Sequence, residues 1–236
     1  MKTRCTTNRS RGLTRVELLV IIGVLALLAA MVFSALNAAK AIKQRINCVN
    51  NLKQIGLAFR VWEGDHYDKY PMEVYATNQA MMKLVGSGNV HLLWRTISCL
   101  QSTNEYCLNT QYYLNTPKYL YCPADTTRMA VTNFKDLSDA NISYFLSLDA
   151  VERYPQMILD GDDNLAVDGV RVKPGFLSLG TKNTIVWTKE RHYKAGNIGM
   201  ADGSVQQATI ESLNSAVAFS TSIAITNSTP SAWVIP

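Results

Sequence analysis

LLVIIGVLALLAAMVF, from Leu18 to Phe33, decides how this chain is read. Its sixteen residues include no polar side chain. Glu17 stands directly before it, and a leader, MKTRCTTNRSRG (Met1–Gly12), stands before that. A helix that is apolar all round needs apolar surroundings on every side, from lipid or from sibling helices. The uninterrupted run is a little short of the roughly 20 residues that cross a bilayer. Ser34–Ala39 extends it as a mostly apolar helix to spanning length. Everything after about Tyr70 reads as a soluble domain carried on this stem.

The chain has 236 residues and is 47% hydrophobic, enough for one well-buried core once the stem is subtracted. The net charge of +5 is unevenly placed. The leader holds Lys2, Arg4, Arg9 and Arg11 and no acid. Taking those four from the 23 basic residues leaves 19 against 18 acids. Such a leader fits an anionic cytoplasmic membrane face better than a nucleic-acid groove. No basic patch interleaved with aromatics follows it, so no nucleic-acid partner is expected. The cysteines are Cys5, Cys48, Cys99, Cys107 and Cys122, with no C-x-x-C and no zinc-like spacing. Cys99 and Cys107 are close enough to close a small loop. Outside the cytoplasm, a disulfide there competes with the reading of buried thiols.

Three readings of the N-terminus compete. A secretory signal peptide needs a small-residue cut after the apolar run, for which Ala29-Ala30 is a loose fit. Glu17 at the start of the run is awkward for that reading, since an acid there is costly. The second reading is a plain anchor, long enough once Ser34–Ala39 is added. The third reading uses more of the residues. RGLTRVELLVIIGVLALLAA resembles the N-terminus of type IV prepilin-like proteins, which include the pseudopilins of type II secretion. The resemblance lies in Gly12, Leu13, Thr14 and Glu17 followed at once by the apolar run, with Leu13 where that family commonly has Phe. It implies cleavage between Gly12 and Leu13 by a prepilin peptidase and methylation of the new amino group on Leu13. It also implies that Glu17 pairs with the amino group of a neighbouring subunit, which satisfies a carboxylate in an apolar setting.

Residues 34–64 contain no proline. Leu36, Ala39, Ile42, Ile46, Val49, Leu52, Ile55 and Phe59 recur at the spacing of one helix face. Lys40, Lys43, Arg45, Lys53 and Arg60 lie largely off that stripe. The run WEGDHYDKYP (Trp62–Pro71) is the natural stop. A helix from Leu13 to about Glu63 is expected, roughly 75 Å long. The divisions are therefore a leader over 1–12, an assembly helix over 13–39, its amphipathic continuation over 40–64, and an extracytoplasmic domain over 65–236.

Within that domain, Met81–Val85 and Val90–Leu100 read as helical pieces separated by Gly86–Asn89. Tyr119–Cys122 reads as a short strand stopped by Pro123, Ile142–Asp149 as a strand, and Thr184–Thr188 as another. Asn197–Met200 and Val205–Ala208 flank Asp202-Gly203 as a hairpin near 197–208. The tail from Glu211 is small and polar, with room for one short helix and a loose end. LDGDDNLAVDG (Leu159–Gly169) carries Asp160, Asp162, Asp163 and Asp168. An EF-hand is excluded by Leu165 at the position that needs glycine. A solvated acidic turn is the expectation, and some pseudopilins hold calcium in a non-EF loop, so these four are the metal candidates.

A second resemblance joins the first. CVNNLKQIGLAFRVW (Cys48–Trp62), Tyr70-Pro71, YCPAD (Tyr121–Asp125) and His192 with Asp202-Gly203 are similar to large prepilin-like families of planctomycete and verrucomicrobial type bacteria. Those families carry a His-x9-Asp-Gly signature. Here His192 and Asp202 are expected to form a structural clasp across the hairpin or a surface contact. No G-x-S-x-G, H-E-x-x-H or P-loop is present, and no enzymatic activity is expected. The fold expected is α+β and pilin-like: a long N-terminal helix packed on a small antiparallel sheet. The expected function is a structural subunit of a type II secretion or type IV pilus-like fibre, without a cofactor. Its partners are then the membrane, the prepilin peptidase/methyltransferase, sibling subunits and an inner-membrane assembly platform. The rival is a singly anchored envelope binding module that does not polymerise.

Overall fold

The computed structural model describes residues 14–75, 89–98, 113–226 and 231–236. Gly12, Leu13, Cys99, Cys107 and the helical piece expected at Met81–Val85 lie outside them. The chain divides into two compact units after Ile42.

The described part of the first unit belongs to helix α1 (Arg15–Gly64). Its start is closed by a reciprocal cap. The Glu17 carboxylate accepts from the Thr14 amide at 2.8 Å and from the Thr14 hydroxyl at 3.0 Å, and the Glu17 amide donates to the Thr14 hydroxyl at 3.3 Å. This capping box satisfies amides that no preceding turn can reach. From Val16 to Phe33, every valine, leucine, isoleucine, methionine and phenylalanine is at least 46% exposed. The helix is long and apolar enough to cross a membrane.

The second unit begins at Lys43 with the rest of α1. The buried apolar side chains of this part of α1 are Cys48, Leu52, Ile55, Ala58, Phe59 and Trp62. The expected stripe is therefore correct only in its last third: Leu36, Ile42 and Ile46 are exposed. Helices α2 (Pro71–Tyr75) and α3 (Val90–Ser98) follow. The segment expected as a strand at Tyr119–Cys122 instead begins on a 3-10 turn, Pro117–Leu120, capped by Thr116. Proline at the first position suits a helical turn, whose first amide has no partner to lose.

Strands β1 (Tyr144–Ser147), β2 (Ile158–Asp162), β5 (Gly175–Leu179), β7 (Gly196–Met200), β8 (Val205–Ala208) and β9 (Ser231–Ile235) build one antiparallel sheet. The spatial order is β5-β9-β1-β2-β7-β8. A second sheet has the order β4-β3-β6, from β3 (Leu165–Val167), β4 (Val170–Arg171) and β6 (Ile185–Trp187). Alternation sends Tyr144, Leu146 and Val234 to the side of α1, where Leu52, Ile55 and Phe59 pack. Phe145, Ile158, Ile198 and Trp233 go to the other side, against Leu213 and Val217 of helix α4 (Ile210–Thr226). The fold is α+β with a long N-terminal helix, as the sequence predicts. The tail is not loose: α4 has 17 residues, and β9 lies between β5 and β1.

The hairpin falls where expected, and its turn touches α1. Gly203 has φ +81, and a Cβ on Gly56 would lie 3.2 Å from the Gly203 Cα. Asp202 accepts from the Ser204 amide at 2.8 Å, and the Tyr70 hydroxyl donates to the Ala201 carbonyl. A side chain at φ near +80 costs about 1–2 kcal/mol. Gly203→Ala should lower unfolding free energy by that amount in urea titration. Gly64→Ala, at an open helical position, should leave it within about 0.5 kcal/mol.

Candidate functional site: a buried polar cluster

Strand β2 places Asp160 opposite Leu146 and Asp162 opposite Tyr144, so both carboxylates leave the sheet on the side of α1. Asp160 and Asp162 are fully buried, and Asp163 nearly so. This overturns the solvated turn expected at Leu159–Gly169. Asp168 alone of the four stays exposed. It accepts from the Thr184 amide at 2.8 Å and the Asn183 side chain at 2.7 Å, so the four acids do not converge on one ion. Asp162 and Asp163 are compensated by cations and amides far away in sequence, whereas both Asp160 oxygens are buried without a hydrogen-bond partner.

Asp125, Arg128, Asp163 and Arg191 form one half of the cluster. Arg128 Nη1 reaches Asp163 Oδ2 at 2.6 Å and Asp125 Oδ2 at 3.2 Å. Arg191 meets Asp125 at 3.5 Å, pairs with Asp163, and donates to the Ser143 carbonyl at 2.9 Å. Two carboxylates and two guanidiniums cancel in charge, as a buried set must. Burial opposes ionisation of Asp125, but Arg191 and hydrogen bonds from Thr127 and Ser143 outweigh it and bring its pKa down to about 2. A cleft of about 540 Å³ opens beside these residues, with Arg171, Lys173 and Glu190 on its wall.

The other half surrounds Asp162. Its Oδ2 accepts from the Asn197 amide and from the Asn197 side chain, both at 2.8 Å. Burial raises the Asp162 pKa, opposed by Arg191, His192 and those two bonds. Burial, with Asp162 alongside, raises the Asp160 pKa well above its ordinary value. Burial also lowers His192, assisted by Arg191 and Arg45 and opposed by Asp162, so its imidazole is neutral at pH 7. His192 Nε2 lies 3.7 Å from Asp162 Oδ2 and 3.3 Å from Cys122 Sγ.

This placement corrects the clasp expected between His192 and Asp202. His192 sits in the loop before β7, and its side chain faces Cys122 and Asp162. The Asp202 carboxylate accepts from the Ser204 amide of its own turn, and the Asp202 amide donates to the Pro155 carbonyl. Cys122 is joined to Cys48 in a disulfide with Cα atoms 5.3 Å apart. The sequence reading named Cys99 and Cys107, which lie outside the described residues, and overlooked this pair. The missed signal was Cys48 itself, which falls one turn before Leu52 on the buried side of the helix. A bridge across 74 residues stabilises by about 4 kcal/mol through loop closure. With both sulfurs in the bridge, the neutral imidazole beside them has no thiol to activate.

No family model matches this chain, and neither does any curated protein or solved structure.

Asp125 has a folded pKa of about 2 against an ordinary 3.8. Its contribution is fully present above the unfolded value and is lost as pH falls through the folded one. The depression corresponds to about 2 kcal/mol. Asp125→Asn should be less stable than the parent by at least that amount near neutrality in urea titration. The gap should narrow as pH falls from about 4 to about 2. A gap that stays constant would show that ionisation of Asp125 contributes nothing.

Proposed function

We propose that this chain is a membrane-anchored subunit of a pilus-like or pseudopilin-type fibre. In this reading the domain lies outside the cytoplasm, and its work is assembly rather than turnover. The observation that carries the reading is the apolar half of α1, exposed on every side and opened by Thr14 and Glu17. Such a surface needs lipid before assembly and sibling helices after it. Among the described residues, the Glu17 carboxylate accepts from the Thr14 amide and hydroxyl. In a fibre it would exchange part of that cap for the amino group of Leu13 on a neighbour, provided cleavage after Gly12 has created one. Prepilin peptidase, sibling subunits and an inner-membrane platform are the partners this requires.

The rival reading, a singly anchored binding module, draws support from the cleft beside Arg128 and Arg191. The two differ in what Glu17 does. Glu17→Leu should insert into the membrane like the parent and crosslink to sibling subunits less, as read by site-specific crosslinking. Equal crosslinking of variant and parent would favour the module. A bulky residue at Gly12 should leave the precursor at full length on gels when prepilin peptidase is present. Normal processing of that variant would rule out cleavage at this site.

A further inference from the structure

We propose that Cys48, Cys122, Asp162 and His192 bind a zinc-class divalent ion when the two cysteines are thiols. This is independent of the fibre reading. One sulfur from each cysteine, an imidazole nitrogen and a carboxylate oxygen lie within 4.8 Å of one another. They arrive from four separate segments: α1, the loop after the 3-10 turn, the end of β2 and the loop before β7. Two sulfurs, one nitrogen and one oxygen are a donor set suited to a tetrahedral, borderline-soft ion. It does not suit calcium, which takes oxygen donors in larger number.

Two further observations point at a ligand. Asp162 Oδ1 is buried without a hydrogen-bond partner, while Oδ2 is held by Asn197. One oxygen is thus fixed by a supporting residue and the other has a lone pair unused, the arrangement in which supporting bonds orient a ligating carboxylate. The charges also suit an ion. Two thiolates, one carboxylate, a neutral imidazole and a divalent cation sum to one negative charge. Arg191 and Arg45 both bear on His192, and the Arg45 Nε is itself buried without a partner.

The binding step is balanced without an oxidant or reductant. Each thiol gives its proton to solvent as a metal–sulfur bond forms, so two protons leave for each ion bound. The bridged form has spent both sulfurs and retains only Asp162 and His192. Ion and disulfide therefore exclude one another.

The test uses the full-length chain in detergent with Cys5, Cys99 and Cys107 changed to Ser, so that only Cys48 and Cys122 carry thiols. The protein is reduced with a phosphine, stripped with a chelator and titrated with Co2+. One equivalent should bind, with a thiolate-to-cobalt charge-transfer band and the visible bands of tetrahedral cobalt. The bridged protein should show neither. Asp162→Asn and His192→Gln should each weaken binding at least about tenfold. Their folding is checked by near-ultraviolet circular dichroism in the bridged form, where the disulfide holds the domain together. If reduction unfolds the chain, adding Zn2+ should restore the native spectrum in the parent and fail to do so in the two variants. The absence of a charge-transfer band in the reduced parent, equal binding by the bridged protein, or unweakened binding by both variants would overturn the proposal.

Discussion

The attachment of the second half of α1 to the sheet is the constraint on which the domain depends. Cys48 contributes a covalent bond to Cys122. Leu52, Ile55 and Phe59 contribute the packed face. Gly56 lets the hairpin turn at Gly203 come within contact of the helix backbone. Gln44 and Asn51 donate to the carbonyls of Pro123 and Tyr121, at 3.0 and 2.8 Å, on either side of Cys122. Apolar packing, a bridge and directed hydrogen bonds thus agree on one helix position. Such agreement between levels is what makes a position specific rather than merely favourable.

The same face of the sheet carries a burden that apolar packing alone does not explain. Strand β2 reads ILDGD and buries both of its aspartates. Desolvating a carboxylate is costly unless the charge is paired or removed. Both solutions occur here, two residues apart. Asp162 has Asn197, with His192 and Arg191 near it, whereas Asp160 has a carboxylate neighbour and its pKa is raised, which favours the uncharged form. Asp125 and Asp163 are matched by Arg128 and Arg191. Removing one member of such a set strands the others, at a cost of about 3–5 kcal/mol. The cluster therefore makes β2, β7 and the loops around them cooperative with the helix side of the core.

The legible parts of the sequence were those with a local signal. The apolar run, the end of α1 near Gly64 and the hairpin around Asp202-Gly203 are each read from a few adjacent residues. What stayed hidden was set by partners distant in sequence. Leu159–Gly169 has the composition of a solvent-facing turn, and only Arg128, Arg191 and Asn197 reveal it as buried. The tail around Ser220 and Thr221 is polar by composition, yet Ser220 is buried because its hydroxyl takes up the Ile158 amide at 2.9 Å. His192 was singled out for its spacing to Asp202, and it matters instead for its closeness to Cys122. Spacing along the chain does not encode that contact.

The central claim is that the apolar run is retained after the leader is removed. Mass spectrometry of the N-terminal peptide from membrane-extracted protein tests it most directly. The expected species begins at Leu13 and carries one methyl group on its amino nitrogen. A mature chain beginning beyond Ala30, or one that keeps Met1–Gly12 in cells containing active prepilin peptidase, would contradict it.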